Sequence, residues 1–157
     1  MADPSDQEMA RAYLSEGRAA LDVARLLCGH RRRAATVAYA QIAAELGMKG
    51  MLLWHLGRGR TTFEHRVSLR VASAFPRAWK RLPRDHRDAV AALEATYPAR
   101  LARRNTRYPF VAPDLAGTRG LRIALPHVEF SVAEARDAVR AVGALLAFVS
   151  RECPGIG

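Results

Sequence analysis

Cysteines and aromatic residues are scarce in this 157-residue chain, and their scarcity excludes several kinds of site. Cys28 and Cys153 are the only cysteines, too few for a disulfide framework or a zinc site. No other spacing of metal-ligating residues appears. Residues 57–60, Gly-Arg-Gly-Arg, lack the further glycine and the preceding strand of a phosphate-cradling loop. We therefore predict that the protein holds neither a metal nor a cofactor.

Long apolar runs and alternating strand patterns are missing as well. No run approaches the roughly 20 apolar residues that a membrane span requires. Residues 1–6 are polar and acidic, unlike a secretory signal. We therefore expect a cytoplasmic protein that makes no contact with a membrane. Apolar and polar residues nowhere alternate for long enough to predict a sheet.

The chain is strongly basic. It has 25 Lys+Arg against 15 Asp+Glu, a formal net charge of +10 and a sequence pI of about 10.9. Such a field attracts phosphate polymers and anionic surfaces. Only Lys49 and Lys80 are lysines, which is also typical of an arginine-rich genome composition. The charge is therefore consistent with either a functional or a compositional origin.

Helical patterns cover most of the sequence. Half of the residues are hydrophobic, and alanine and arginine, both good helix formers, dominate. Helices are predicted over about 5–27, 34–56, 62–75, 84–97 (to 104 if it continues past a proline) and 132–149, with an irregular segment at 105–130. The predicted fold class is all-α: one domain, residues 1–157, forming an up-and-down antiparallel bundle of about five helices.

Local signals add detail to this bundle. The second helix is apolar nearly all round, so we expect it at the centre. Gly29 suits a left-handed position that ends the first helix. Residues 61–64 (Thr-Thr-Phe-Glu) and 131–134 (Ser-Val-Ala-Glu) are both capping-box patterns. Glu45 and Lys49 have the spacing of a surface ion pair.

Four short motifs, in order along the chain, resemble one family of helical domains. Gln41, Glu45 and Lys49 follow one another at four-residue spacing on an alanine-rich helix, and His65 comes after a glycine-containing turn. Residues 107–109 read Arg-Tyr-Pro, and a capped last helix follows. Together these motifs resemble the HEPN domains over nearly the whole chain.

The resemblance implies a helical bundle of about four or five helices, often dimeric. Some HEPN domains are ribonucleases, in which an arginine followed by four to six residues and a histidine supplies the chemistry. Others act as binding partners, often of a minimal nucleotidyltransferase in two-gene toxin–antitoxin systems, and nucleotide binding has been proposed for the family. The resemblance therefore implies a homodimer, a nucleotidyltransferase partner, and nucleotide or RNA as ligand.

Arg60 and His65 are the candidate catalytic pair, because their interval fits the ribonuclease motif. A histidine can take the 2′-hydroxyl proton and an arginine can stabilise the phosphorane without a metal. Arg81 and His86 also fit by spacing. A polar residue such as Asn usually follows the motif's arginine directly, whereas Thr61 follows Arg60 here. His65 therefore suits a hydrogen bond near a helix start better than catalysis.

Arg103, Arg104, Arg107 and Tyr108 form the candidate nucleotide- or RNA-binding cluster. An arginine can fork onto a phosphate, and a tyrosine can stack on a base. The alternative is that residues 108–109 pin the loop while the arginines are solvated. The arginines at 31–33 offer a second phosphate contact or a solvated turn.

Three functions therefore stay open: a HEPN-type binding module, a metal-independent endoribonuclease toxin, and a helical adaptor without a nucleic-acid role. Apolar residues on the terminal helices also predict a homodimer. They are Leu26, Leu27, Leu145, Leu146 and Phe148.

Overall fold

The computed structural model describes residues 4–60, 65–97, 104, 106–107, 110–113 and 121–156. In these ranges lie α1 (Pro4–Gly29), α2 (Arg33–Leu56), a 3-10 turn (Arg58–Arg60), α3 (Val67–Ala74), α4 (Pro76–Trp79), α5 (Arg84–Glu94), β1 (Phe110–Pro113), β2 (Leu121–Ala124), α6 (Pro126–Glu129) and α7 (Val132–Glu152). The predicted all-α fold class is confirmed. No helix of the described ranges is long and apolar enough to cross a membrane.

The four longest helices, α1, α2, α5 and α7, alternate in direction. A short turn at residues 30–32 joins α1 to α2. Arg11 Nε donates to the Gly155 carbonyl at 3.0 Å, so the start of α1 lies beside the end of α7. Arg81, just before α5, pairs with Glu152 at the end of α7. Both α1 and α5 therefore run antiparallel to α7, as in the predicted up-and-down bundle.

Helix α2 is central, as its all-round apolar surface predicted. Its buried residues lie on every side of the helix, including Val37, Ala44 and Leu52. Glycines let α1 approach it closely: a Cβ on Gly17 would lie 3.2 Å from a backbone oxygen of α2, and one on Gly50 would lie 3.1 Å from a backbone oxygen of α1. Small residues therefore set the α1–α2 distance.

The end of α1 differs from the prediction. Gly29 lies within the helix, and the left-handed residue is instead Arg31, with φ 57°. The helix closes through bonds from His30 N to Leu26 O and from Arg32 N to Leu27 O. Because the Cβ of an L-residue crowds the backbone in this conformation, an arginine here costs about 1–2 kcal/mol.

The predicted irregular segment at 105–130 contains regular structure, so that prediction was wrong over three stretches. Strands β1 and β2 pair antiparallel, with Phe110 opposite Ala124, and the single turn α6 follows. Each strand has four residues, too few to show a reliable alternation in sequence.

Of the two predicted capping boxes, one is confirmed. The Ser131 hydroxyl accepts from Glu134 N at 3.0 Å, and the Glu134 carboxylate accepts from Ser131 N at 2.7 Å. Residues 61–64 lie outside the described residues. Helix α3 begins at Val67, later than predicted, and its N-cap Arg66 makes no side-chain capping bond.

The apolar residues that motivated a dimer belong mostly to the chain's own core. Leu145, Leu146 and Phe148 are buried against the rest of the bundle. Leu26, in contrast, is 62% exposed. The reasoning from the terminal helices therefore needs correction, because intramolecular packing already accounts for three of its five residues.

Candidate basic cleft and buried glutamate site

A cleft of about 720 Å³ opens between the start of α2 and the segments around residues 106–107 and 126–127. Four arginines line it, together with Tyr39, Thr106 and His127: Arg31, Arg32, Arg33 and Arg107. We call these seven residues the basic cleft. Among the described residues that line it, none is acidic.

The fold delivers these arginines from two directions. The turn after α1 places residues 31–33 at one end of the bundle, and Arg33 Nη2 donates to the His127 carbonyl at 2.9 Å. That bond fastens the start of α2 to α6. Arg31 and Arg32 are exposed, and no ion pair to either occurs within the described ranges. The wall also carries Tyr39, 40% exposed.

Two of the four residues of the predicted anion-binding cluster, Arg104 and Arg107, lie within the described residues. Arg107 lies in the basic cleft, and Arg103 and Tyr108 lie outside the described residues. Arg104 pairs with Glu134 at 2.5 Å, and its guanidinium sits 4.4 Å from the centre of the Phe130 ring.

The partners of Arg104 hold it at the start of α7. Its Nη2 also donates to the Glu129 carbonyl at 2.6 Å. Burial raises the pKa of Glu134, but hydrogen bonds from Arg104 and Ser131 outweigh it, so the pKa is lowered overall. The carboxylate is thus charged near neutral pH. We centre the candidate anion site on residues 31–33 and Arg107, because these arginines line one cleft.

A second polar group surrounds Glu45, and it joins the family-like residues that the sequence singled out. Glu45 accepts hydrogen bonds from Gln41 Nε2 at 3.0 Å and from Lys49 Nζ at 2.7 Å. His65 Nδ1 lies 3.0 Å from Glu45 Oε2. The His65 ring stacks on Tyr97 with centroids 3.6 Å apart and planes 14° apart. We call these five residues the Glu45 cluster.

The pair of Glu45 and Lys49 is not the surface pair that its spacing predicted. Their side chains are only 13% and 12% exposed. Burial raises the pKa of Glu45, but the hydrogen bonds from Lys49, His65 and Gln41 prevail, so its pKa lies below the ordinary value. The cluster therefore holds a charged carboxylate inside the bundle.

His65 does not make the predicted contact at a helix start, since its Nδ1 faces Glu45 instead. Its side chain is 42% exposed. A carboxylate that orients one ring nitrogen leaves the other available for proton transfer, which is chemistry a general base requires. Arg60 ends the 3-10 turn, and its side chain is outside what the structure describes. The catalytic pair thus stays a prediction.

Glu94, near this cluster, and Tyr97, one of its members, gave no signal in the sequence. Glu94 is buried and accepts a bond from Ser68 N at 2.7 Å and another from the Ser68 hydroxyl. These bonds tie α3 to α5. Burial raises the pKa of Glu94 despite the bonds from Ser68. Tyr97, which stacks on His65, lies far from it in sequence, so no local pattern could predict the contact.

The stabilisation that Glu45 contributes should depend on pH. Because the pKa of Glu45 is lowered in the fold, its contribution is complete above its unfolded pKa and disappears as pH falls through the folded value. The unfolding free energy of the native protein minus that of Glu45→Gln should be constant above about pH 5 and shrink below it. Urea titrations across this range measure the difference, and a difference that grows on acidification would contradict the prediction.

Comparison with known proteins assigns no family to this chain. No protein-family model, no curated protein and no solved structure matches it. The likeness to HEPN domains therefore stays a prediction based on the motifs described above.

Proposed function

We propose that this protein is a binding module that holds the phosphate groups of a nucleotide or RNA in the basic cleft. One observation carries the proposal: arginines from the α1–α2 turn and from residue 107, far apart in sequence, line one cleft with no acidic residue among its described lining. The net charge of +10 would attract such a ligand over long range.

The cleft has the chemistry that phosphate and base recognition require. A guanidinium presents a planar fork of donors that matches a phosphate, and an exposed tyrosine offers a face on which a base can stack, worth about 1–3 kcal/mol. Tyr39 and Arg32 both line the cleft. Its volume of about 720 Å³ falls within the range of ordinary small-ligand sites.

The test removes one arginine from each side of the cleft. The double variant Arg32→Ala/Arg107→Ala should bind a fluorescent single-stranded RNA about 100-fold more weakly, because each charge-assisted bond contributes roughly tenfold. Binding to the native protein should also fall steeply between about 50 and 200 mM salt. Fluorescence anisotropy measures both effects, and a melting curve checks the fold.

A matched control distinguishes a site from general charge. Arg84→Ala/Arg151→Ala removes the same charge from exposed residues at the opposite end of the bundle and should change affinity little. Equal losses in the two double variants would indicate binding by net charge alone. No RNA binding at low salt would favour the helical adaptor without a nucleic-acid role.

We further propose that the module is of the HEPN type and works as a homodimer beside a nucleotidyltransferase, in a toxin–antitoxin pair. The support is the ordered set of motifs, on a helical bundle of the expected kind. An adjacent gene for a small nucleotidyltransferase, and a complex with its product on co-purification, would be expected. Light scattering that shows a monomer at micromolar concentration would remove the dimer.

A metal-independent endoribonuclease is the second candidate, and the geometry at His65 favours it. The His65 imidazole contacts the Glu45 carboxylate through Nδ1 and stacks on the ring of Tyr97. If the protein cleaves RNA, His65→Ala should abolish cleavage, and His86→Ala tests the alternative pair with Arg81. Loss of cleavage at an unchanged melting temperature would make the ribonuclease the better proposal. A lower melting temperature without a specific loss of cleavage would leave His65 a structural residue.

A further inference from the structure

A second cleft adjoins the basic cleft at the same end of the bundle. It has a volume of about 620 Å³ and lies between the end of α1 and the first turns of α7. Arg25, Arg31 and Arg136 line it, and Val132 and Val139 provide apolar wall. Among the described residues that line this second cleft, none is acidic either.

Arg31 belongs to both clefts and therefore joins them. Its backbone is left-handed, with φ 57°, and no other non-glycine residue of the described ranges shares this conformation. Such conformations are uncommon and unfavourable outside glycine, and they concentrate at functional sites. The chain thus places a guanidinium, at some conformational cost, where the two clefts meet.

We infer that the ligand is a single-stranded RNA whose backbone runs through both clefts, with Arg31 between them, rather than a free mononucleotide. This inference rests on the proposed function. Each cleft has the size of one small-ligand site, so the two together exceed what one nucleotide fills. A positively charged track with an aromatic wall is the usual solution for a flexible, repeatedly charged strand.

The charges along the two clefts support a strand over a single phosphate. Six different arginines line them: Arg25, Arg31, Arg32, Arg33, Arg107 and Arg136. One of them, Arg25, pairs with Asp22 at 2.9 Å, and both side chains are well exposed, so a phosphate can compete for it. Several phosphates must be present to use cations spread over α1, α2 and α7.

The experiment compares a short oligoadenylate of about ten nucleotides with AMP as its competitor. Arg136 lines the second cleft only. Arg136→Ala should therefore weaken oligoadenylate binding about tenfold and leave the dissociation constant of AMP, obtained from the competition, unchanged. The slope of the logarithm of the binding constant against the logarithm of the salt concentration should also become shallower by about 0.7, the contribution of one phosphate contact. Arg84→Ala, the same change at the far end of the bundle, should alter neither.

Three outcomes separate this inference from the proposed function. If Arg32→Ala/Arg107→Ala weakens the oligomer but Arg136→Ala does not, the ligand occupies the basic cleft alone and the inference fails. If neither variant weakens binding, both the inference and the proposed function fail. If AMP binds as tightly as the oligomer, a mononucleotide is the ligand and the inference is overturned.

Arg31→Gly tests the junction independently. Glycine adopts the left-handed conformation without strain, so the melting temperature should stay the same or rise. Affinity for the oligomer should nevertheless fall about tenfold, because the shared guanidinium is lost. A stable variant with full affinity would show that Arg31 serves the turn and not the ligand.

Discussion

Replacing Lys49 with methionine is expected to lower the free energy of unfolding by about 3 kcal/mol at neutral pH. Methionine keeps the length of the side chain but removes the cation 2.7 Å from Glu45. The carboxylate then stays largely shielded from water and charged, with hydrogen bonds from Gln41 and His65 but no permanent positive partner. Urea denaturation of the native protein and the variant measures the loss.

The other lysine of the chain provides the control. Lys80 is exposed and, within the described ranges, takes part in no ion pair, so Lys80→Met should change stability by less than about 0.5 kcal/mol. Adding Glu45→Gln to Lys49→Met should recover part of the loss, because no unpaired charge then remains. Equal, small effects of the two lysine substitutions would show that the Glu45 cluster contributes nothing to stability.

Replacing Gly47 with leucine should destabilise the bundle by about 1–3 kcal/mol. A Cβ built on Gly47 would lie 2.3 Å from Leu146 Cδ2, at the contact of α2 with α7. The side chain of Leu146 is buried, and the remaining atoms of a leucine at residue 47 would have to displace it. Overpacking should outweigh the gain in helix propensity of nearly 1 kcal/mol that removal of a glycine brings.

Gly143→Ala is the comparison for this prediction. Gly143 lies inside α7, but the nearest atom to an added Cβ is a terminal nitrogen of Arg25 at 3.7 Å, an ordinary contact. This variant should therefore gain about 0.5–1 kcal/mol from helix propensity. Thermal melts of both variants give the sign of each change in stability. A Gly47→Leu protein that melts like the parent would mean that α2 and α7 can move apart freely.

The sequence by itself predicted the class of the fold and several of its local details. Apolar periodicity and all-round hydrophobicity are properties of one segment, so they located α1, α2 and α7 and placed α2 at the centre. The capping box at Ser131 was predicted correctly, because both of its bonds join residues three apart. The left-handed backbone conformation after α1 was predicted for Gly29, but Arg31 adopts it. A glycine permits this conformation without requiring it, so its presence in the sequence does not fix where the conformation occurs.

Which polar residues meet was decided by the tertiary structure. Arg107 and the arginines at 31–33 share a cleft, and Glu45 meets His65, only because helices from distant parts of the sequence pack together. Arg104 pairs with Glu134 of α7, a contact that its own sequence neighbours did not indicate. Side-chain partners depend on which faces the packing brings together, and spacing along one helix cannot specify a contact with another. The sequence therefore predicted the helices, whereas the candidate sites could be identified only from the packing of those helices.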